Sequence, residues 1–221
     1  MKYIVFAILI LAGYFLSKYM RKNKVEKPSE SSNIIIGYGV KPTKNEIEQE
    51  RKTNEEIIRL LESNIISSGL FKKERVPALI GKIREVTTEF GRVSTKLAFE
   101  KDEVLTLEEK KSLGLNTRSK YSKFLIECFE PSRMNEIDPR VALENMHLSA
   151  FHKISNKKEL QKLKNLGFVK KVKIMPAGDK DDCQEIKSCK KVYSINEVPE
   201  LPFPECNAAY CRCCYEAIVS K

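Results

Sequence analysis

The pattern of apolar and polar positions divides the chain into a short apolar leader and a longer body. The leader runs from Tyr3 to Leu16 without a charged residue, and basic residues follow it closely. A helix from Tyr3 to Met20 would be about 27 Å long at its standard rise per residue. That length is close to the thickness of the hydrocarbon core of a bilayer. The pattern therefore predicts a single transmembrane helix within residues 1–22.

A cleaved secretory signal is the main alternative for this leader, and a buried core helix is another. A signal peptide needs small residues at a cleavage site after the apolar run, and residues 14–19 offer no such site. Basic residues are more numerous after the apolar run than before it, so the positive-inside rule places the rest of the chain in the cytoplasm. We expect a single-pass protein of the bacterial inner membrane with a cytoplasmic C-terminal domain.

The body of the chain shows helical spacing and clear helix-start signals. Residues 23–42 hold Pro, Ser and Gly around one short apolar run and are predicted to be a linker. Residues 43–178 are predicted to form an α+β domain. Its first helix starts at Thr43, which forms a capping-box pair with Glu46, and ends at Gly69. Further helices are predicted from Thr106 to Gly114, from Thr117 to Phe129, from Asp138 to about Ile154, and from Asn156 to Leu166.

Two stretches of the body alternate in the manner of β-strands. Residues 83–90 and 93–99 predict a hairpin about Gly91. Residues 168–174 predict a half-buried strand with Val172 and Ile174 turned inward. The fold class expected from these elements is α+β, with an N-terminal transmembrane helix, a helical middle with a few short strands, and a small zinc-knuckle-like module at the C-terminus.

The charge of the chain bears on its partners. The 40 Lys and Arg exceed the 30 Asp and Glu, which gives a formal net charge of +10. Such an excess suits anionic lipid or nucleic acid, but the lysines are scattered among glutamates, and no interleaving of aromatic and basic residues is present. The sequence therefore argues against nucleic acid as a partner. Cys128 is expected to be a core thiol, and His147 and His152 to be packing or surface residues.

The C-terminal segment, residues 179–221, carries the candidate chemistry. Six of the seven Cys lie between residues 183 and 214, and in a reducing compartment this indicates metal ligation rather than disulfides. Zinc takes four such sulfurs in structural sites. The predicted ligands are Cys183, Cys206, Cys211 and Cys213, with Cys189 as the alternate fourth ligand. Unligated thiols, cysteine chemistry and a metal cluster stay open as alternatives.

The spacing within this segment suggests how the ligands would be presented. If residues 211–218 form a strand, Cys211 and Cys213 share one face with Tyr215, and Cys214 points to the other face. Three prolines between residues 197 and 204 would hold the preceding stretch extended. The prolines would then span the distance between the two halves of the site.

The same segment resembles a known pattern. The residues that carry it are Cys183, Lys190-Lys-Val-Tyr193-Ser, Glu197-Val-Pro199-Glu-Leu-Pro202, and Cys206-x4-Cys211-Arg-Cys213-x-Tyr215. They resemble the C-terminal signature of a family of uncharacterised bacterial proteins that also carry an N-terminal transmembrane helix. They are more distantly similar to the cysteine-rich end of phage minor head (head-morphogenesis) proteins. Cys189 and Cys214 are extra to this pattern, and Lys190 replaces its glycine. The resemblance implies no reaction.

Taken together, these features favour an interaction protein rather than an enzyme. No Ser-His-Asp set, phosphate loop or H-E-x-x-H motif stands out in the sequence. The expected function is that of a membrane-tethered cytoplasmic scaffold with a structural zinc site and a protein partner. The alternatives are a nucleic-acid-binding or phage-related accessory protein, and an enzyme of unrecognised type.

Overall fold

A computed structural model describes residues 42–87, 91–178, 182–189 and 192–218 of the protein. Within these ranges there are six α-helices: α1 Lys44–Ser68, α2 Val76–Val86, α3 Leu107–Ser112, α4 Lys123–Cys128, α5 Pro139–Asn165 and α6 Gln184–Ser188. The strands there are β1 Lys171–Met175, β2 Val192–Ser194 and β3 Cys214–Ile218. Short 3₁₀ helices lie at Lys73–Arg75, Leu97–Phe99 and Pro131–Arg133.

This architecture is α+β, but it corrects the predicted fold class and location. In the ranges given above, no helix is both long and apolar enough to cross a membrane. The two longest helices, of 25 and 27 residues, carry charged residues along their length. The predicted anchor, residues 1–22, lies outside the described residues. On this finding, a fold class with a transmembrane helix and a single-pass inner-membrane location are wrong, and an α+β fold of six helices and a three-stranded sheet replaces them.

Helix α1 begins and ends where the sequence predicts. The hydroxyl oxygen of Thr43 accepts a hydrogen bond from the Glu46 backbone N–H at 3.2 Å, and the Glu46 carboxylate accepts one from the Thr43 N–H at 2.7 Å. The helix ends at Gly69, whose φ of 63° is left-handed and costs glycine little. The predicted capping box and stop are thus confirmed. The buried face of α1 is formed by Asn54, Ile57, Ile58, Leu61 and Ile65.

The Thr43→Ala variant is expected to lower the free energy of unfolding by about 1 kcal/mol, because the first turn of α1 loses an acceptor for its backbone N–H groups. Urea denaturation of the full-length protein measures the loss. Lys44→Ala, one residue further on, removes no cap and serves as the control. Equal stability of the two variants would contradict the capping role of Thr43.

Helix α5 is one continuous helix, where the sequence predicts two. Its start is confirmed, because Asp138 caps it by accepting from the Arg140 N–H at 2.9 Å and Pro139 occupies the first turn. The predicted break at Asn156 is wrong. Asn156 is buried in mid-helix, and its side-chain amide donates to the carbonyl oxygen of Cys213 at 3.0 Å. Asn156 has the sequence features of a helix cap, but it makes a tertiary contact instead.

The predicted hairpin about Gly91 is also wrong. Its first half belongs largely to α2, in which four buried apolar residues follow helical spacing, and its second half contains a 3₁₀ helix. Thr88, Glu89 and Phe90 lie outside the described residues. The helix predicted from Thr117 begins later, after Ser122, whose hydroxyl oxygen accepts from the Leu125 N–H. Short apolar runs fit both the helical period of 3.6 residues and the strand period of 2, so tertiary packing decides between helix and strand.

Two large apolar clusters form the interior, and α5 contributes to both. The first joins α1, α2, α4 and the first half of α5 around Phe71 and Phe129, whose rings meet edge to face at 5.1 Å. Cys128 belongs to it, which confirms the predicted core thiol, and burial raises its pKa to about 11. The second cluster joins Leu160 and Leu163 of α5 to β1, α6 and the Cys-rich segment.

The sheet lies in this second cluster. Its strands are antiparallel in the order β2-β1-β3, with Val172 opposite Tyr193 on one side and Ala217 on the other. Val172 and Ile174 are buried, which confirms the predicted alternation. Strand β3 begins at Cys214, so the strand predicted over 211–218 is shorter than expected. The residues just before β3 therefore lie in a loop beside the sheet.

Candidate functional site

Four cysteines of the C-terminal segment meet in the second apolar cluster. Cys183 directly precedes α6, Cys206 follows the proline-rich run, and Cys211 and Cys213 precede β3. Cys183, Cys211 and Cys213 are 4%, 5% and 4% exposed, and Cys206 is half-buried. These are the four residues that the sequence predicts as ligands.

The four thiols lie close enough for their charges to interact. The neighbouring Cys213 thiol lowers the pKa of Cys211 to about 6, and Cys206 contributes to the same shift. The Cys211 thiol in turn raises the pKa of Cys213. Burial raises the pKa of Cys206 to about 11, with a further contribution from Cys183. Cys211 is therefore the sulfur best prepared to carry a negative charge, and its neighbours keep their protons.

Backbone contacts hold two of these thiols in place. The Cys206 N–H donates to the Phe203 carbonyl oxygen at 3.0 Å and closes a tight turn. The carbonyl oxygen of Cys213 accepts from Asn156 of α5, in a buried bond. Sequence reasoning missed this bond, because a polar residue in a helical run carries no sign of its distant partner. This bond attaches the loop that carries Cys211 and Cys213 to helix α5.

Tyr215 of β3 clamps the proline-rich run beside the thiols. Its hydroxyl donates to the Pro199 carbonyl oxygen and accepts from the Leu201 N–H, both at 2.8 Å. Burial raises the pKa of this phenol to about 12, so it stays a protonated donor at neutral pH. The predicted strand pattern placed Tyr215 on the face of the thiols, but its two backbone contacts are a finding of the structure.

The two other thiols of the segment have different surroundings. Cys189, the alternate fourth ligand, follows α6 and is half-buried, and its thiol donates to the Ile186 carbonyl oxygen at 3.4 Å. Cys214 is exposed on β3. Its outward direction agrees with the predicted alternation. The choice of Cys183 over Cys189 as the fourth ligand stays a prediction.

The predicted zinc site is not found as a metal site. Among the residues that the structure describes, no group of three or more His, Cys, Asp or Glu side chains is arranged so that it could hold a metal ion. The zinc and metal-binding features expected of the structure are corrected on this point. Uptake of zinc by these residues as a cofactor stays a prediction.

A band of aromatic and cationic side chains adjoins the thiols. His152 of α5 stacks on Tyr210 with ring centroids 5.8 Å apart and planes 5° apart, and the Arg212 guanidinium lies 5.7 Å from the Tyr210 ring. Phe151 meets His152 edge to face at 5.4 Å, and Arg92 lies 6.0 Å from the Phe151 ring. We call these five residues the aromatic-cationic band. Sequence reasoning missed it because its members come from three distant parts of the chain.

A cavity of about 420 Å³ lies beside the start of α5. Its lining includes Lys96, Glu100, Lys120, Ser122, Arg140 and Glu144. The Arg140 guanidinium lies 4.5 Å from the Tyr121 ring and is paired with Asp138 at 3.6 Å, while Asp138 accepts a hydrogen bond from the Tyr121 hydroxyl. These contacts brace the start of α5 against the segment before α4. They give Arg140 a structural role in the cavity wall.

Comparisons with models of protein families, with curated proteins and with solved structures found no match for this chain. The resemblance of its Cys-rich segment to uncharacterised bacterial proteins and to phage minor head proteins therefore stays a prediction. The function has to be argued from the thiols and the surface around them.

Proposed function

We propose that the protein is a non-catalytic interaction protein whose C-terminal segment is held in shape by a zinc ion. The ligands proposed are Cys183, Cys206, Cys211 and Cys213. The single observation that carries the proposal is that Cys183, Cys211 and Cys213 are buried in one apolar cluster and that Cys206 packs against it. They come from separate loops of the segment, so a shared ion would cross-link those loops.

The chemistry of the cluster supports a soft divalent cation. The pKa of Cys211 is lowered to about 6, and the neighbouring thiols Cys213 and Cys206 contribute to that shift. A zinc ion would take the place of the thiol protons, since zinc binds deprotonated sulfur at about 2.3 Å. Proton release on metal binding is the expected consequence.

The small amount of regular structure in the segment gives such an ion a role in stability. Residues 182–189 and 192–218 contain one helix of 5 residues and strands of 3 and 5 residues. Structural zinc contributes about 10–16 kcal/mol in small modules that lack a large core of their own. A cross-link of this strength would hold the loop that carries Tyr210 and Arg212.

The burial of the thiols argues for a structural role rather than catalysis. Cys183, Cys211 and Cys213 are each at most 5% exposed, whereas a nucleophilic thiolate has to reach its substrate. Sulfurs bound to a common ion are also unavailable for attack. The function that fits both points is a folded platform for a partner.

Metal analysis of the full-length protein, purified under reducing conditions, tests the proposal. We expect about one zinc ion per chain, and a chelator should lower the midpoint of thermal unfolding. Cys211→Ser and Cys183→Ser should lose the ion, while the matched variants Cys189→Ser and Cys214→Ser should keep it. A parent protein that carries no zinc, and whose unfolding responds to neither zinc nor chelator, would remove the proposal.

A further inference from the structure

We propose that the aromatic-cationic band, together with the lysines of the second half of α5, forms a binding surface for single-stranded nucleic acid. This inference rests on the proposed interaction role and names its partner. The surface requires the loop between Cys206 and Cys211 to be folded, but the zinc ion itself makes no contact with the nucleic acid.

The band has the composition and order of a stacking surface. Three rings stand in a row between two arginines, in the order Arg92, Phe151, His152, Tyr210 and Arg212. The distances between successive guanidinium and ring centres are 6.0, 5.4, 5.8 and 5.7 Å. Arg92 is exposed and the other four are half-buried, so the band reaches the surface. Unpaired bases stack on aromatic rings and on guanidinium planes whatever their identity. A duplex keeps its bases paired and offers no such contact.

Helix α5, which carries Phe151 and His152 of the band, also supplies positive charge in its second half. Between residues 153 and 165 the only acidic residue is Glu159. The lysines there, all exposed, are Lys153, Lys157, Lys158, Lys162 and Lys164. The spacing of Lys153, Lys157 and Lys164, by four and by seven residues, places them on one stripe of the helix. That stripe starts at Lys153, the residue after His152 in the sequence.

The combination of rings and charge selects the partner. A row of lysines alone would suit any acidic surface, but the rings add a contact that only planar bases use fully. Exposed Lys170 and Lys171 extend the positive surface from α5 to the start of β1. The phosphates of a single strand would lie along the lysines while its bases stack on the band.

Fluorescence anisotropy with the full-length protein and a labelled oligonucleotide tests this surface. The probe is a single strand of about 12 nucleotides of oligo-U or oligo-dT, within the site size of known single-strand binding modules. Binding is expected at about 50 mM salt and should weaken steeply by about 200 mM. Tyr210→Ala should weaken it about tenfold, whereas Tyr210→Phe, which keeps the ring, should bind like the parent.

The lysine contribution has its own control. Lys157→Ala should lower the affinity and reduce the slope of log affinity against log salt by about 0.7, the value for one lost phosphate contact on a single strand. Lys111→Ala, exposed on α3, should change neither. Equal effects of Lys157→Ala and Lys111→Ala would overturn the assignment of α5 as the phosphate-binding face.

Zinc content measured on the same samples separates this inference from the metal proposal. Weaker binding of Tyr210→Ala with unchanged zinc supports the surface. A parent protein that holds zinc but binds no oligonucleotide overturns the surface and leaves the metal proposal standing. A parent that binds the oligonucleotide without zinc overturns the metal proposal and supports the surface. Tighter binding to duplex or to polyglutamate than to the single strand would overturn the proposed surface as well. So would binding that is insensitive to Tyr210→Ala.

Discussion

The Phe129→Ala variant is expected to lose about 3–5 kcal/mol of unfolding free energy, the range for removing a large aromatic side chain from a packed core. The Phe129 ring is 0% exposed and packs edge to face on Phe71. The two residues also form an isolated antiparallel backbone bridge, so the contact joins the chain after α1 to the end of α4. The cavity left by alanine lies among fully buried neighbours, which close it only in part.

Urea unfolding of the full-length protein, followed by circular dichroism, measures this loss. Phe168→Ala is the matched control, because Phe168 is 62% exposed on the surface after α5. The control should change the unfolding free energy by no more than about 0.5 kcal/mol. Similar losses in the two variants would mean that the first apolar cluster does not govern stability.

The Tyr215→Phe variant is expected to lose about 2–4 kcal/mol of unfolding free energy, although the ring is kept. The hydroxyl serves both the Pro199 carbonyl oxygen and the Leu201 N–H, at 2.8 Å each. Its removal leaves the buried Leu201 N–H without a partner, at a cost of about 1–3 kcal/mol, and takes a further bond worth about 1 kcal/mol from the part-buried Pro199 carbonyl oxygen. The loss falls on the run that leads to Cys206, so zinc should also dissociate more readily from this variant.

The same unfolding experiment, with a competition for zinc by a chelator, tests the role of Tyr215. Tyr210→Phe removes a phenolic hydroxyl from a half-buried ring of the same segment and serves as the control, with an expected change within about 0.5 kcal/mol. A Tyr215→Phe variant as stable as the parent would show that the proline-rich run is held by other contacts.

Helix starts were predictable because their signals are local. Thr106 and Glu109 form a capping box like that of Thr43, with the Glu109 carboxylate accepting from the Thr106 N–H at 2.6 Å. Such bonds span three residues and depend little on the rest of the fold. By contrast, Asn156 has the same local features as a cap, yet it lies inside α5 because the Cys213 carbonyl is its partner.

The candidate site was predictable in part. Alternation predicted that Cys211 and Cys213 would differ from Cys214, and the first two are buried while Cys214 is exposed. The lowered pKa of Cys211 depends on loop positions that spacing leaves open. The predicted transmembrane helix falls within residues 1–22, outside the described residues, and no helix of the described part is long and apolar enough to cross a membrane.

From its residues alone, the chain determined its α+β character, the starts of three helices and the burial of Cys211 and Cys213 beside exposed Cys214. These features follow from contacts within a few residues or from simple alternation. The tertiary structure decided that α5 is continuous, that Asn156 holds Cys213, that Tyr215 holds the proline-rich run, and that His152 stacks on Tyr210. Those contacts join residues far apart in sequence, and packing of the whole core, rather than any local pattern, brings them together.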